Sequence, residues 1–456
     1  MKISIVGAGY VGLVSGVCLA EKGHQVICID RDYAKVDLIN SGKPPIYERD
    51  LVALLQKNLS HGFSATTDLT RAIQDTEFTL IAVGTPFNGQ RIDLTAVEQA
   101  SREIGAALKK KSGYHVVVVK STVVPGTTDE VVRPILEAAS GKRAEEDFGV
   151  GMNPEFLREG EAISDFMEPD RIVYGGIDAR SVGALRELYS VFPSVDLIET
   201  NCRTAEMIKY TANSLLATMI SFSNEIANLC SATGNIDVMD VTRAVHLDRR
   251  ISPLLPDGRR VIPPFTTYIQ AGCGFGGSCF PKDVRALIEY GRVKDSPMRI
   301  LESVMAINEM QPYRLIDILK THFTILKGLR VVILGFAFKP GTNDIRESPA
   351  LKIARQLIIE GSKVSGFDPI AQSEVEATFE LEAIDFQNDL NSAICNVDAI
   401  VIVTRWPEFE AIPSLLKSLE SKQPLVIDGR RMLEKNSVAK YDGIGLQSTS
   451  LSVHKQ

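Results

Sequence analysis

The chain has 456 residues, enough for two or three domains at about 100–200 residues each. Hydrophobic residues make up 45%, charged residues 23%, and the net charge is −7, an ordinary globular balance. It argues against nucleic acid as a partner, which would need a basic surface, and the one dense basic run, Lys109–Lys111, reads as a solvated helix end.

No apolar stretch is long enough to span a bilayer, so no membrane partner is expected. Ile3 to Ala20 is apolar and follows Lys2, like a signal peptide, but Gly7, Gly9 and Gly12 would break a leader helix. The seven cysteines (18, 28, 202, 230, 273, 279 and 395) are odd in number and include no CxxC pair. That pattern fits reduced thiols in a cytoplasmic protein. No Cys/His spacing suits zinc, and no metal is expected.

In chain order, short apolar runs at Lys2–Val6, Gln25–Ile29, Phe78–Val83, His115–Lys120, Gly149–Met152 and Arg171–Tyr174 alternate with helical periodicity. This is the mark of a βαβ-built parallel sheet. From about Thr204 to Thr233, apolar residues recur at helical spacing without Gly or Pro, which predicts one unusually long helix. Such a helix often bridges domains and packs against a partner copy. A second helical stretch runs from Val284 to about Thr321.

A new α/β pattern opens at Leu329. Strands are expected at Arg330–Leu334, Lys363–Phe367, Ala399–Val403 and Leu425–Asp428, with a helix near Pro349–Glu360. The tail after Leu446 reads as loosely ordered. The fold class is therefore α/β: two Rossmann-like parallel-sheet domains (1–200 and 321–456) joined by a central helical domain (201–320) with one long helix.

Gly7-Ala8-Gly9-Tyr10-Val11-Gly12 lies between the first strand and its helix. The first glycine permits the tight turn, the second lets backbone approach a pyrophosphate, and the third allows close helix–strand packing. Free N–H groups at the helix start would face the phosphates. Asp30 ends the second strand, the spacing at which a carboxylate meets the adenosine ribose, and it argues for NAD over NADP. The second α/β unit has a single glycine in Gly335-Phe336-Ala337-Phe338-Lys339 and is expected to bind something other than a dinucleotide. Lys339 with Pro340-Gly341-Thr342 suggests a phosphate-facing loop.

The most informative stretch is Gly272-Cys273-Gly274-Phe275-Gly276-Gly277-Ser278-Cys279-Phe280-Pro281-Lys282-Asp283. A glycine-rich loop lets backbone amides crowd a ligand, and this one ends on a thiol followed by Lys282 and Asp283. If the loop runs into a helix, the helix dipole and Lys282 both favour thiolate, making Cys279 a candidate nucleophile beside a hydride acceptor. The other cysteines, Cys273 included, read as structural.

Taken in order, Gly7–Gly12, Val83-Gly84-Thr85-Pro86, Lys120-Ser121-Thr122, Asn153-Pro154-Glu155-Phe156-Leu157-Arg158-Glu159-Gly160, Lys209 with Asn213, Gly274–Asp283, Phe338-Lys339 with Arg346-Glu347-Ser348, and Asp428-Gly429-Arg430 resemble the UDP-glucose/GDP-mannose dehydrogenase family over nearly the whole chain. The resemblance implies a three-domain fold, NAD used twice, a nucleotide-sugar substrate and no separately released aldehyde. The reaction it implies first is oxidation of UDP-glucose to UDP-glucuronate, a precursor for polysaccharide biosynthesis.

Oxidising a C6 alcohol to an acid takes two hydride transfers, and the aldehyde between them must be held. Attack by Cys279 gives a thiohemiacetal that can lose the second hydride, and the resulting thioester is hydrolysed. By resemblance, Lys209 and Asn213 flank the reacting oxygen, and their i, i+4 spacing puts both on one helix face. Thr122, Glu155 and Asp283 resemble the water-handling and proton-accepting groups, with the choice of base open among them.

By the same resemblance, Gly7, Gly9, Tyr10, Val11, Gly12, Asp30, Lys35, Thr85, Thr122, Glu159, Lys282 and Arg346 fall on cofactor-contacting positions. Glu155, Phe156, Leu157, Lys209, Asn213, Arg250, Tyr268, Ile269, Gly276, Phe338, Lys339 and Arg430 fall on substrate-contacting ones. Arg250 matches an arginine that reaches the neighbouring subunit's site, which implies a homodimer or higher homo-oligomer.

The chain departs from the family pattern between Arg250 and the cysteine loop, where Pro253–Pro264 is an insertion. Asn343 and Arg49 also depart, standing where an acidic residue and a proline are expected. The same chemistry on GDP-mannose, TDP-glucose or a UDP-N-acetylhexosamine stays open, although Phe280 and its neighbours favour the glucose branch over acetamido sugars. A two-electron 3-hydroxyacid dehydrogenase would share the cofactor domain and the lysine–asparagine helix, but it has no need of the thiol. A catalytically dead nucleotide-sugar sensor is the remaining class.

Overall fold

The computed structural model describes residues 1–378, 384–419 and 423–446. The tail beyond Leu446, expected to be loosely ordered, lies outside them. Two compact units are present: Met1–Ala212 with Glu289–Asp295, and Asn213–Ile288 with the residues from Ser296 onward.

The first unit carries an eight-stranded sheet of β1 (Lys2–Val6), β2 (Gln25–Ile29), β3 (Phe63–Thr66), β4 (Phe78–Ile81), β5 (His115–Val119), β6 (Phe148–Met152), β7 (Arg171–Gly176) and β8 (Asp196–Thr200). Their order is β3-β2-β1-β4-β5-β6-β7-β8. Every residue of β4, β5 and β6 is buried, which is why these strands read as continuous apolar runs without alternation.

One expectation needs correction. The sheet is parallel from β3 to β6, but β7 runs antiparallel to β6, pairing Gly151 with Gly176 and Met152 with Gly175. Glycines at three of these four positions let the turned strand approach closely: a Cβ on Gly151 would lie 2.8 Å from the Gly175 carbonyl oxygen. The apolar Ile3–Ala20 run is folded as β1, the glycine turn and most of the helix Tyr10–Glu21.

Lys111 also departs from its expected solvated role. Its Nζ donates to the carbonyls of Ile73 (2.8 Å), Gln74 (3.0 Å) and Thr76, closing the end of the helix Leu69–Asp75. A lysine satisfies such orphan carbonyls and complements the helix dipole. Burial pushes its ammonium pKa down.

The long helix runs Cys202–Thr233. Asn201 starts it, its Oδ1 accepting from Thr204 N at 2.8 Å. Gly234, at φ +81°, ends it and donates its N–H to Cys230 O. The second helical stretch is three helices, Phe280–Val293, Arg299–Met310 and Tyr313–His322. Pro297 and Pro312 stand in the breaks, where each removes a helical N–H.

The second unit carries a parallel six-stranded sheet of β9 (Arg330–Leu334), β10 (Lys363–Phe367), β11 (Ile384–Phe386), β12 (Ala399–Ile402), β13 (Leu425–Asp428) and β14 (Tyr441–Gly443). The order is β11-β10-β9-β12-β13-β14. The strand order reverses at the β9/β12 junction, so the crevice past their carboxyl ends is the place for a ligand. Among the described residues, no helix is long and apolar enough to cross a membrane.

Candidate active site

In the first unit, Gly7 adopts φ +105°, and a Cβ there would meet the Ala82 carbonyl oxygen at 2.6 Å. A Cβ on Gly12 would lie 1.9 Å from Gly7 O. Both glycines are thus required by the chain's own packing. Gly9 has nothing within 4 Å of an added Cβ, so packing does not explain it, whereas close approach of a pyrophosphate does. Asp30 accepts from Ala8 N at 2.9 Å and Asp32 N at 3.0 Å, which holds its carboxylate beside the turn. Lys35 Nζ lies 3.9 Å from Asp30 and is 41% exposed. These residues fit a dinucleotide whose ribose meets Asp30 and whose pyrophosphate meets the glycine turn.

A residue with no predicted role completes this turn. Buried Glu48 accepts from the Tyr10 hydroxyl, from Gly160 N at 2.7 Å and from Ala162 N at 2.9 Å. It ties the start of the first helix to the loop that follows Glu159. Burial and this carboxylate push the Tyr10 phenol well above its ordinary value. Thr85 and Thr122 are also brought together, Thr85 Oγ1 donating to Thr122 O at 2.7 Å.

Lys209 and Glu155 form a buried ion pair, Nζ to Oε1 at 2.9 Å, with side chains 5% and 7% exposed. The other Glu155 oxygen accepts from Leu157 N at 2.6 Å, so neither oxygen is unoccupied. Burial alone would raise the Glu155 carboxyl, but Lys209, the Leu157 N–H and Lys120 together outweigh it and the net shift is downward. Arg171 and Lys209 both lie over the Phe156 ring, at 4.1 and 5.4 Å from its centre.

A second buried lysine, Lys120, donates to Asn153 Oδ1 at 2.9 Å, and Asn153 Nδ2 is fixed on Val173 O at 2.7 Å. Burial pushes Lys120 down to about 8, with Glu155 opposing and Lys209 assisting. Lys120 and Asn153 belong to segments visible in the sequence, yet nothing there says the ammonium is buried.

In the second unit, side-chain amides hold the glycine-rich loop. Asn224 Oδ1 accepts from Gly272 N (2.8 Å), Gln311 Nε2 donates to Gly272 O (2.8 Å), and Asn308 takes both Phe275 N (2.8 Å) and Phe275 O (3.0 Å). Cys273 is buried with its thiol on Val403 O at 3.3 Å, as expected of a structural cysteine. Half-buried Cys279 stands at the head of the helix Phe280–Val293, its carbonyl accepting from Asp283 N at 2.9 Å. Ser278 Oγ is 3.6 Å from its sulfur.

Asp283, one turn on, is 1% exposed and accepts from Asn213 Nδ2 and from Lys282 Nζ, each at 2.6 Å. Three predicted residues are thereby joined beside the thiol's helix.

Around this loop, Phe280 packs edge-on against Phe275 and Tyr268, with ring centres 5.8 and 6.4 Å apart, while Ile269 is buried. Gly276 and Gly277 face Phe338: a Cβ on Gly277 would meet its ring at 2.8 Å, and Gly277 N donates to Arg346 O. Lys339 lies 5.9 Å over the Phe338 ring. Arg430 reaches Val403 O and Gly274 O, at 2.6 and 3.3 Å. Arg346 pairs with Asp344 at 2.8 Å.

Arg250 is 89% exposed and bound to its neighbour Asp248, and no described contact carries it to the cysteine loop. The Pro253–Pro264 segment folds as a small hairpin, Leu254 bridging Arg260 across an Asp257-Gly258 turn. Arg260 staples it to the carbonyls of Leu247 (2.6 Å) and Ser252 (2.9 Å).

The second sheet also explains its missing fingerprint. Asp368, at the end of β10, occupies the place that Asp30 has in the first sheet. It is 3% exposed and accepts from the amides of Phe336, Ala337, Ile370 and Ala371 and from the Trp406 indole. A carboxylate so fully engaged has no capacity left for a ribose.

Among the described residues, no group of three His, Cys, Asp or Glu side chains could hold a metal. The chain matches the UDP-glucose/GDP-mannose dehydrogenase family along its length: the NAD binding domain over residues 1–193, the central domain over 203–310 and the UDP binding domain over 332–435. It is 42% identical to a UDP-glucose 6-dehydrogenase of Bacillus subtilis, over 96% of this chain and 92% of that one. It is 38% identical to a GDP-mannose 6-dehydrogenase of Pseudomonas putida, over 97% of this chain and all of the other. The solved UDP-glucose dehydrogenase of Pyrobaculum islandicum superposes with a TM-score of 0.87 at 36% identity, covering 97% of both chains. With the glycine turn, Asp30 and the cysteine loop in place, the chain belongs to the UDP-glucose/GDP-mannose dehydrogenase family and is an NAD-dependent dehydrogenase.

Proposed function

We propose that the protein oxidises UDP-glucose to UDP-glucuronate by four electrons, with Cys279 holding the carbon between the two oxidations. The observation that carries this reading is the placement of Cys279 at a helix head, with Asp283, Asn213 and Lys282 hydrogen-bonded together one turn away. A helix N-terminus stabilises negative charge on sulfur.

NAD, when bound, accepts a hydride at each oxidation. The C6 hydroxyl proton passes to water and the first hydride is lost, which gives an aldehyde. The Cys279 sulfur then bonds to the carbonyl carbon, and the resulting oxyanion is stabilised by Lys209 and Asn213. Loss of the second hydride leaves a thioester. Water attacks its carbonyl, the C–S bond breaks, and the acid and a free thiol are formed. Glu155 has both oxygens engaged and serves better as the fixed counter-charge of Lys209 than as a base.

Residues 1–200, 201–320 and 321–456 would act as cofactor, central and nucleotide-sugar domains. A homodimer is supported by Leu215, Phe222 and Leu229 on the long helix, which are 58%, 62% and 63% exposed and recur every seven residues. The free thiols fit a cytoplasmic enzyme.

A second reading is the same chemistry on GDP-mannose, supported by the 38% identity to a GDP-mannose 6-dehydrogenase. Steady-state turnover of a panel of nucleotide sugars with NAD, counting NADH per sugar, tests both. Two NADH per UDP-glucose is the expected result. Good turnover of another sugar beside none of UDP-glucose sinks the first reading, and a single NADH per sugar sinks the thioester route.

A further inference from the structure

Past the carboxyl ends of β12 and β13, beside the strand-order reversal of the second sheet, two guanidinium groups lie together. Arg405 Nη2 donates to Gln270 Oε1 at 2.8 Å and to the carbonyl of Arg430 at 2.6 Å. Arg430 in turn donates from Nε to Val403 O and from Nη1 to Gly274 O. Gly272 is what lets the second guanidinium lie there, since a Cβ at 272 would be 3.1 Å from Arg430 Nη1.

All four acceptors are uncharged. Among the described residues, neither arginine forms an ion pair, and Arg405 Nε and Nη1 find no protein acceptor. Asp428, the nearby acid, is already committed to Arg430 N (2.9 Å), Leu433 N (2.8 Å) and the Tyr441 hydroxyl (3.1 Å). Burial and the charge of Arg430 push the Arg405 guanidinium down from its ordinary value, outweighing the opposing charges of Asp428 and Glu410.

Both guanidinium groups are half-buried with no carboxylate in salt-bridge contact among the described residues. Partly withdrawing two like charges from water in this way is costly, and a ligand anion is the group that would offset it. The surroundings point the same way. Phe338 and Lys339 follow β9, the other edge of the same crevice, and residues 332–435 match a UDP binding domain. Arginine's planar fork suits phosphate oxygens better than any other side chain.

We propose that Arg405 is a substrate-binding residue that joins Arg430 in a two-guanidinium seat for the diphosphate of the nucleotide sugar. This rests on the nucleotide-sugar reading above and adds a contact that neither the glycine-rich loop nor Arg430 supplies alone. Through Gln270, which precedes Ala271 and Gly272, the seat is also fastened to the start of the cysteine loop, so that phosphate binding and loop placement share one side chain.

The test is calorimetric titration of the full-length protein, wild type and Arg405→Gln, with UDP and with uridine. UDP affinity is expected to fall about tenfold in the variant, in line with loss of a charge-assisted hydrogen bond, while uridine and NAD affinities stay within twofold. The unliganded variant should melt no lower than wild type, because a repulsion has been removed. Arg405→Lys should recover part of the UDP affinity.

Equal weakening for UDP and uridine, or UDP affinity unchanged within twofold, overturns the role of Arg405 while leaving the nucleotide-sugar reading intact. Wild-type protein that binds UDP no more tightly than uridine overturns that reading and the seat with it.

Discussion

Lys209 Nζ lies 2.9 Å from Glu155 Oε1 with both side chains almost fully buried, so each ion is the other's main compensation for leaving water. Removing one partner of such a pair strands the other, at a cost of about 3–5 kcal/mol. Lys209→Met is therefore expected to lose stability of that order at pH 7, together with about 10²–10³ in turnover from the missing oxyanion partner. The Glu155 pKa is lowered from 4.5 in the wild type, so its stabilising contribution is full above that value and fades as pH falls through the lowered one. In Lys209→Met, burial of Glu155 is opposed only by the Leu157 N–H and Lys120, and its pKa rises. Urea unfolding at pH 5 and pH 7 should show the variant's deficit shrinking at pH 5. A deficit equal at both would mean that the pair does not govern Glu155.

Cys279 offers a sharper separation of steps. Its sulfur is needed to hold the aldehyde carbon, whereas the first hydride transfer needs only the alcohol, the cofactor and the groups around the reacting oxygen. Cys279→Ser is expected to lose steady-state oxidation by more than about 10³-fold, comparable to removal of other covalent nucleophiles. Any NADH it forms should stop at one per sugar. Rapid-mixing absorbance at enzyme concentrations comparable to substrate measures this. Two NADH per sugar from the serine variant would rule out the thioester.

The glycine turn, Asp30 and the cysteine loop were legible in the sequence because each encodes a local backbone requirement. Gly7 needs positive φ, Gly12 needs to lack a Cβ, and Cys279 precedes its helix directly. Fully buried strands such as β5 and β12 were equally plain from their apolar runs. The antiparallel β7 was not, because a strand's direction depends on its neighbour and not on its composition. Short edge strands such as β11 (Ile-Asp-Phe) and β14 (Tyr-Asp-Gly) bury too little apolar surface to show a pattern. Glu48 and Arg405 escaped for a related reason. A lone charged residue reads as surface until the fold surrounds it with donors or acceptors from distant segments.

Glu48 has a measurable consequence of its own. Its two oxygens accept from Tyr10 in the cofactor turn and from Gly160 and Ala162, just past the Glu155–Glu159 segment. Glu48→Ala takes the acceptor from the Ala162 N–H and from the Tyr10 hydroxyl, at about 1–3 kcal/mol each, while the Gly160 N–H keeps the Tyr10 hydroxyl oxygen at 3.0 Å. NAD affinity, read by fluorescence titration, is expected to fall about tenfold or more. Glu48→Gln keeps an acceptor for one amide and should lie between. Both variants should affect the Michaelis constant for NAD more than turnover, since the carboxylate touches no reacting group. A loss confined to turnover would assign Glu48 to the chemistry instead.

Lys120 sets the alkaline behaviour of the fold. Burial lowers its folded-state pKa from 10.5 to about 8, so between those values the unfolded chain holds a proton that the folded chain has released. Stability therefore rises with pH across that window. The penalty of burying the ammonium is fully present below pH 8 and relieved above 10.5. Its full span is about 3 kcal/mol, from 1.36 kcal/mol per pKa unit. Lys120→Met removes the titrating group, while the Tyr189 hydroxyl still donates to Asn153 Oδ1. The difference in unfolding free energy between wild type and Lys120→Met should therefore shift in favour of wild type as pH goes from 7.5 to 9.5. Parallel urea curves at the two pH values would show that Lys120 keeps an ordinary pKa in the folded chain.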